Sequence, residues 1–225
     1  MQRDFSSSLR ITEIFYSIQG ESSTVGWPTV FIRLTGCPLR CNYCDTTYAF
    51  HGGKITTIAN IISTTEYYFI NNKSGLNKYV TVTGGEPLAQ PGCASLISRL
   101  CELGYNVSLE TSGAFCIKDL DSRLMIVMDL KTPGSQEADK NLWQNLEYLK
   151  PKDQIKFVIC SLEDYAWAKQ VIINHDLVNK CEILFSPSYK QIKIRDLAEA
   201  ILVDRLSVRL QAQLHKYIWG DEPGR

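Results

Sequence analysis

Three cysteines fall within eight residues, Cys37-Pro-Leu-Arg-Cys41-Asn-Tyr-Cys44. Thiolates converging from one loop select soft metal centres, an iron–sulfur cluster or zinc, over hard cations. Their number carries information. A structural zinc site wants four protein ligands, whereas a four-iron cube held by three cysteines leaves one iron free to bind a substrate or cofactor. A Cys3His zinc site completed by His51 is the alternative for the same loop, and plain core packing is a third. Cys93 and Cys101 fall on the apolar face of a predicted helix, and Cys160 and Cys181 fall in predicted strands, so these four read as packing residues.

A second segment with chemical potential is Thr83-Gly84-Gly85-Glu86-Pro87. Paired glycines let a backbone approach a ligand closely and expose its amide and carbonyl groups; a plain strand-to-helix turn would use the same residues. Two further segments, Glu110-Thr111-Ser112-Gly113 and Asp129-Leu130-Lys131, put polar groups where ribose hydroxyls and a carboxylate would find hydrogen-bond partners. Each could equally be an ordinary loop.

The elements that must position these segments alternate along the chain. Runs rich in β-branched and aromatic residues at 9–17, 29–34, 79–83, 105–110, 124–130, 155–160 and 181–186 predict strands. Helical periodicity lies between most of them. Cys93, Leu96, Ile97, Leu100 and Cys101 share one face, with Gly104 placed as a C-cap, and predict a helix over 93–103. Weaker patterns predict helices over 57–70, 137–149, 162–174 and 195–209. Apolar runs such as 125–128 and 157–159 suggest strands buried on both faces, as in a parallel sheet covered by helices. The fold class is α/β, an open sheet or a partial barrel, and ligands of such folds lie at the carboxyl ends of the strands. The cysteine loop follows the strand at 29–34, and the Gly-Gly-Glu segment ends the strand at 79–83.

Composition bounds the rest. With 225 residues, 44% of them hydrophobic, a single domain over 1–225 with short flexible ends at about 1–8 and 220–225 is expected. The 24 basic and 24 acidic side chains balance, and no Lys/Arg run offers a footprint for nucleic acid or anionic lipid. No apolar stretch reaches the roughly 20 residues of a membrane span, and the first ten residues carry Asp4 and three serines, so a cytoplasmic protein is expected.

The C-x3-C-x2-C spacing, with Tyr43 before the third cysteine, resembles the signature loop of the radical S-adenosylmethionine enzymes. That resemblance implies a partial parallel (β/α) barrel and a [4Fe-4S] cluster on Cys37, Cys41 and Cys44. It also implies S-adenosylmethionine bound through its methionyl amino and carboxylate groups to the open iron, and cleaved to a 5'-deoxyadenosyl radical by an electron from the reduced cluster. Gly85, Glu86, Ser112, Asp129, Leu130 and Lys131 would hold that cofactor.

A narrower resemblance rests on flanking residues. Gln19-Gly20-Glu21, Phe31-Ile32-Arg33-Leu34-Thr35-Gly36-Cys37, Cys44-Asp45-Thr46 and His215-Lys216-Tyr217 are together similar to the 7-carboxy-7-deazaguanine synthase family, over about 12–219. It implies a lyase that contracts the ring of 6-carboxy-5,6,7,8-tetrahydropterin with loss of ammonia, a step towards queuosine-type deazapurines of tRNA. Ile18, Gln19, Gly20, Arg33, Thr83 and His215 would bind the substrate, and Thr46 would ligate Mg2+. A homodimer and an electron donor such as flavodoxin or ferredoxin are implied as well. Arg33 offers a fork that matches a carboxylate, and Thr46 a hard oxygen ligand. Their ordinary alternatives are a surface salt bridge for Arg33, a helix N-cap for Thr46 and simple packing for His215. Ser22-Ser23 stands where the family pattern often has Gly, and the tail after Trp219 has no clear counterpart. The rival functions are another compact enzyme of this superfamily, such as an activase of glycyl-radical proteins, and a zinc-stapled binding module.

Overall fold

The structure, a computed structural model, describes residues 8–70, 77–220, 222 and 224. A long hairpin of β1 (Ser8–Ile18) and β2 (Pro28–Leu34) opens the chain, and β3 (Lys54–Thr57) pairs antiparallel with the start of β1. Then follow α1 (Ile58–Phe69), β4 (Tyr79–Gly84), α2 (Cys93–Glu102), β5 (Asn106–Thr111), β6 (Met125–Asp129) and β7 (Gln154–Ile159). The chain goes on through α3 (Leu162–Asn174), β8 (Glu182–Pro187), α4 (Ile194–Asp204), β9 (Arg209–Leu210) and α5 (Leu214–Trp219). The nine strands lie in the order β3-β1-β2-β4-β5-β6-β7-β8-β9, and every pairing from β2 to β9 is parallel. The edge strands do not pair with each other, so the barrel is partial, as the resemblance implies. The flexible ends expected at 1–8 and 220–225 fall largely outside the described residues.

The two faces of the sheet differ sharply. Val30, Ile32, Leu34, Val80, Val82, Leu109, Ile126, Met128, Phe157, Ile159 and Phe185 point one way, into a cluster completed by Ile61 of α1, Leu96 and Leu100 of α2, Ala168 of α3 and Leu197 of α4. The alternate residues point into the barrel and are largely polar, among them Thr29, Thr81, Ser108 and Gln154, all buried. The strands are thus buried on both faces, as expected, but helices cover only one of them and the other is the barrel's own largely polar interior. Segment 125–128 reads as apolar because Val127 forms part of the barrel's inner wall, while Ile126 and Met128 pack under the helices.

The segment linking β1 to β2 folds under the barrel. Gln19 Nε2 donates to Thr81 Oγ1 (3.1 Å), Ser22 N–H to Gln211 Oε1 (2.8 Å) and Ser23 N–H to Gln154 Oε1 (3.0 Å), which makes a floor of amides and hydroxyls.

The helix predicted over 137–149 does not form. Two short 3-10 turns, Ala138–Lys140 and Trp143–Glu147, stand there, preceded by a third at Pro133–Ser135. Two asparagines on that stretch spend their side chains on distant backbone: Asn141 exchanges bonds of 2.9 Å in both directions with Lys131, and Asn145 donates to Gly113 O (3.0 Å) and Phe115 O (2.8 Å) while accepting from Ile117 N–H (3.2 Å). Such bonds compete directly with helix formation. The last predicted helix stops at Asp204, where Arg205 turns into the left-handed region (φ 50°) and frees the chain for β9. The short elements β3, β9 and α5 carry too little periodicity to be anticipated.

Asn145 is fully buried, and Asn145→Ala would strand two carbonyls and an N–H. The expected loss is about 2–4 kcal/mol of unfolding free energy, measured by urea denaturation of the metal-free protein.

Candidate active site

At the carboxyl ends of the parallel strands lies a cavity of about 660 Å³. Ile18, Gln19, Gly20, Arg33, Cys37, Cys41, Cys44, Thr46, Thr83, Gly85, Ser112, Asp129, Lys131 and His215 all line it. Glu86 and Leu130 do not. Both are fully buried; Leu130 belongs to the core and donates its N–H to Lys156 O (2.9 Å).

The cysteine loop leaves β2 through Gly36, whose φ of 98° favours glycine. It is held at several points. Gly36 N–H donates to Ala49 O (2.8 Å), Asn42 N–H to Ser135 O (3.3 Å), and Arg40 Nη1 to the carbonyls of Cys37 (2.7 Å) and Leu39 (2.6 Å), with its guanidinium over the Phe50 ring. The turn after β4 meets this loop directly: Gly85 N–H donates to Leu34 O (3.2 Å) and Glu86 N–H to Gly36 O (2.8 Å). A Cβ on Gly85 would lie 2.6 Å from Cys37 Cβ, so only glycine allows that approach.

The three thiols are partly exposed in the cavity wall, and His51 lies exposed beside the Phe50 ring. Among the described residues no three His, Cys, Asp or Glu side chains surround one ion position. The donor set therefore suits a cluster whose cysteines each ligate a different iron better than a single tetrahedral zinc. Burial pushes all three thiols up, Cys41 to about 11 with Lys131 opposing the rise. The wall also holds two buried polar atoms without hydrogen-bond partners among the described residues, Tyr43 Oη and Asp129 Oδ1. Buried polar groups are nearly always bonded, so these fit a polar ligand such as S-adenosylmethionine with its hydroxyls, amine and carboxylate.

Above the amide floor runs a layer of paired charges. Arg33 Nε meets Glu13 Oε1 at 2.7 Å, and Tyr48 donates to the same oxygen (2.8 Å). Lys131 pairs with Asp129 and Lys156 with Glu21, each at 2.8 Å. Burial opposes ionisation of Glu21, but the Lys156 ammonium outweighs it and holds the carboxyl below its ordinary range. Asp45, beside Cys44, is likewise held low against burial by Lys216 of α5. Thr83 donates to Glu110 Oε2 (2.8 Å).

Thr46 stands at the N-cap of the turn Thr47–Ala49 without capping it; its hydroxyl donates instead to Asp45 Oδ1 (2.9 Å). His215 packs on Gly20, where a Cβ would lie 2.9 Å from the ring's Cγ.

Arg33 is thus ion-paired, though not at the surface, and part of the cavity wall. Cys93 and Cys181 are core residues, while Cys160 lies half-buried just past β7. Sequence reasoning gave no separate role to Glu110, Lys156, Tyr43 or Ser188, although Glu110 and Tyr43 stand within the motifs it quoted. For the first two a signal was present: each is a charge at an inward position of a strand whose alternate residues are apolar.

Comparison with known proteins accords with this arrangement. The Radical SAM superfamily profile matches residues 31–125. The crystal structure of QueE from Escherichia coli superposes with a TM-score of 0.74 at 20% identity, covering 92% of this chain and 95% of that one. That of Streptococcus suis SuiB bound to S-adenosylmethionine gives 0.52 at 15% identity, covering 79% and 48%. Fold, cysteine loop and profile together define a radical S-adenosylmethionine enzyme, with a [4Fe-4S] cluster and S-adenosylmethionine as its cofactors.

Sequence relatives narrow the class. The 7-carboxy-7-deazaguanine synthase of Chlorobaculum tepidum is 44% identical over 95% of this chain and 96% of its own length. Those of Methanospirillum hungatei and Koribacter versatilis are 42% and 38% identical, each over 95% of this chain and over 86% and 98% of their own lengths. The chain belongs to the 7-carboxy-7-deazaguanine synthase family.

Because the free thiols are protonated near neutrality, metal loading must expel protons. Loading should release up to about three protons per site and tighten steadily as pH rises towards the thiol range. An anaerobic metal titration of the apoprotein in weak buffer with a pH indicator measures both. Cys37→Ala, Cys41→Ala and Cys44→Ala should each lose bound iron, whereas Cys93→Ala and Cys181→Ala should keep it, as read by iron content per chain.

Proposed function

We propose that this chain converts 6-carboxy-5,6,7,8-tetrahydropterin to 7-carboxy-7-deazaguanine with loss of ammonia, using the residues gathered around the cavity. One observation carries the reading: a single cavity joins the three thiols of the loop after β2 to the polar ends of β4, β5 and β6 and to the segment at 18–21. Held by Cys37, Cys41 and Cys44, a reduced [4Fe-4S] cluster would supply the one-electron chemistry for cleaving S-adenosylmethionine.

The chain's own residues divide the remaining work. Cys37, Cys41 and Cys44 hold the cluster. Gly85, Ser112, Asp129 and Lys131 line the cofactor's place. Lys131 Nζ, buried against Asp129, gives a fixed positive charge for a carboxylate.

On the substrate side, Glu13 engages Arg33 through Nε, which leaves the terminal nitrogens to grip the substrate carboxylate. Gln19 and Glu110, already bonded to each other at 3.4 Å, offer acceptors and donors for an aminopyrimidinone edge, with Thr83 beside them. Gly20 lets His215 close over that edge. Thr46 and Asp45 provide the hard oxygens for Mg2+, whose remaining positions go to water and substrate.

One continuous sheet supports a single domain. No described helix is long and apolar enough to cross a membrane, and an oxygen-sensitive cluster suits the cytoplasm. A small redox protein such as flavodoxin or ferredoxin would supply the electron, and family resemblance favours a homodimer.

The reading is tested by anaerobic incubation of reconstituted protein with S-adenosylmethionine, dithionite and the carboxytetrahydropterin, followed by mass spectrometry. The deazaguanine product is expected; cofactor cleavage without it would sink the assigned substrate. Arg33→Lys keeps the charge but loses the fork, so substrate affinity should drop about ten- to hundred-fold while the cluster spectrum survives. Equilibrium binding and visible absorption on the same variant check both halves. Gly20→Ala should displace His215 and raise KM at unchanged iron content.

A further inference from the structure

Glu86, the acidic residue of the Gly-Gly-Glu segment, is fully buried and does not reach the cavity. Its carboxylate accepts from four groups: Leu88 N–H (2.9 Å), Thr111 Oγ1 (2.9 and 3.0 Å to its two oxygens), Ser112 N–H (2.7 Å) and Ser112 Oγ (2.5 Å). The first lies on its own turn and the others at the end of β5. The backbone ladder between β4 and β5 runs from Tyr79↔Asn106 only as far as Val82↔Leu109. Past that register the two strands share no ladder pairing, although their ends must face one ligand together. Side chains take over there, Thr83 reaching Glu110 and Glu86 reaching Thr111 and Ser112.

We propose that Glu86 is a positioning residue: its carboxylate ties the turn after β4 to the end of β5 and so fixes the spacing between the two backbone segments that hold S-adenosylmethionine. The assignment rests on the cofactor reading of the cavity, and it replaces direct contact between Glu86 and the cofactor. It also sets the polarity of Ser112. With its proton committed to Glu86, the Ser112 hydroxyl meets a ligand as an acceptor only. A carboxamide at position 86 would turn a donor towards donors and release that commitment.

The distinguishing probe is 5'-methylthioadenosine, which keeps the nucleoside of the cofactor and lacks its amino acid. A Glu86 that gripped the methionyl amine would matter for S-adenosylmethionine alone. A Glu86 that spaces the two strand ends matters for both ligands, because the end of β5 moves with it.

The experiment is equilibrium dialysis of both compounds against cluster-loaded wild type and Glu86→Gln, with iron content and thermal midpoint recorded for each. Expected is a parallel loss of about ten-fold or more for both compounds at unchanged iron content. Unaltered binding, or a loss confined to S-adenosylmethionine, overturns the assignment. Should Glu86→Gln not accumulate folded, Thr111→Val removes one donor from the same bracket. A smaller parallel loss then supports the proposal, and wild-type affinities overturn it. If the wild type binds neither compound, the cofactor reading falls and this assignment with it, whereas a silent variant in a binding wild type sinks this assignment alone.

Discussion

The contact on which the site depends is between two stretches of backbone. Leu34 and Gly84 are register partners at the ends of adjacent parallel strands, so the cysteine loop and the Gly-Gly-Glu turn leave the sheet side by side. Two main-chain bonds then join them, Gly85 to Leu34 and Glu86 to Gly36, at a separation that admits no side chain at position 85. Motifs far apart in sequence thus meet through the ladder rather than through any direct attraction between them. The cluster ligands owe their placement to the same device, since the loop that carries them is anchored by the strand before it and by the 3-10 turn after it.

How much of this was legible from sequence depended on the kind of signal. Strand positions and the helix α2 followed from periodicity, because burial of one face repeats every two residues or every 3.6. The cavity residues were legible where they sat in motifs with unusual composition, as with Cys37, Cys41 and Cys44 or Gly84 and Gly85. Lys156 was not, and Glu110 was quoted only with its neighbours, since a single charge in a strand looks like a solvent-facing residue until the barrel closes around it. The stretch 137–149 misled for a different reason. Its apolar spacing resembles a helix, but Asn141 and Asn145 gain more from bonding Lys131, Gly113 and Phe115 than a helix would return. Those partners are distant in sequence, so no local pattern announces them.

A recurring device explains how a mostly irregular upper surface holds its shape. Buried carboxylates and amides bind backbone N–H groups where the regular ladder gives out. Glu86 does so between β4 and β5, Asp164 with Gly134 and Cys160, and Asp153 with Ile126 and Lys150; the half-buried Gln90 accepts from Arg10 N–H and donates to Thr35 O. Each satisfies donors or acceptors that would otherwise be stranded away from water, at a cost that an unbonded group could not recover. Loops fixed in this way can present ligands as rigidly as strands do.

The register of the sheet also sets an order in time. The β1–β2 hairpin closes over a short connection, Ile18 opposite Pro28, and can form early. The β2–β4 pairing must bring together segments separated by β3, α1 and their connections before any ladder bond compensates the entropy of closing so long a loop. The metal-binding loop is therefore completed only when the slow, non-local half of the sheet assembles. A nascent chain carries three reactive thiols with no fixed geometry until then, and iron delivery is best matched to a barrel that has already folded.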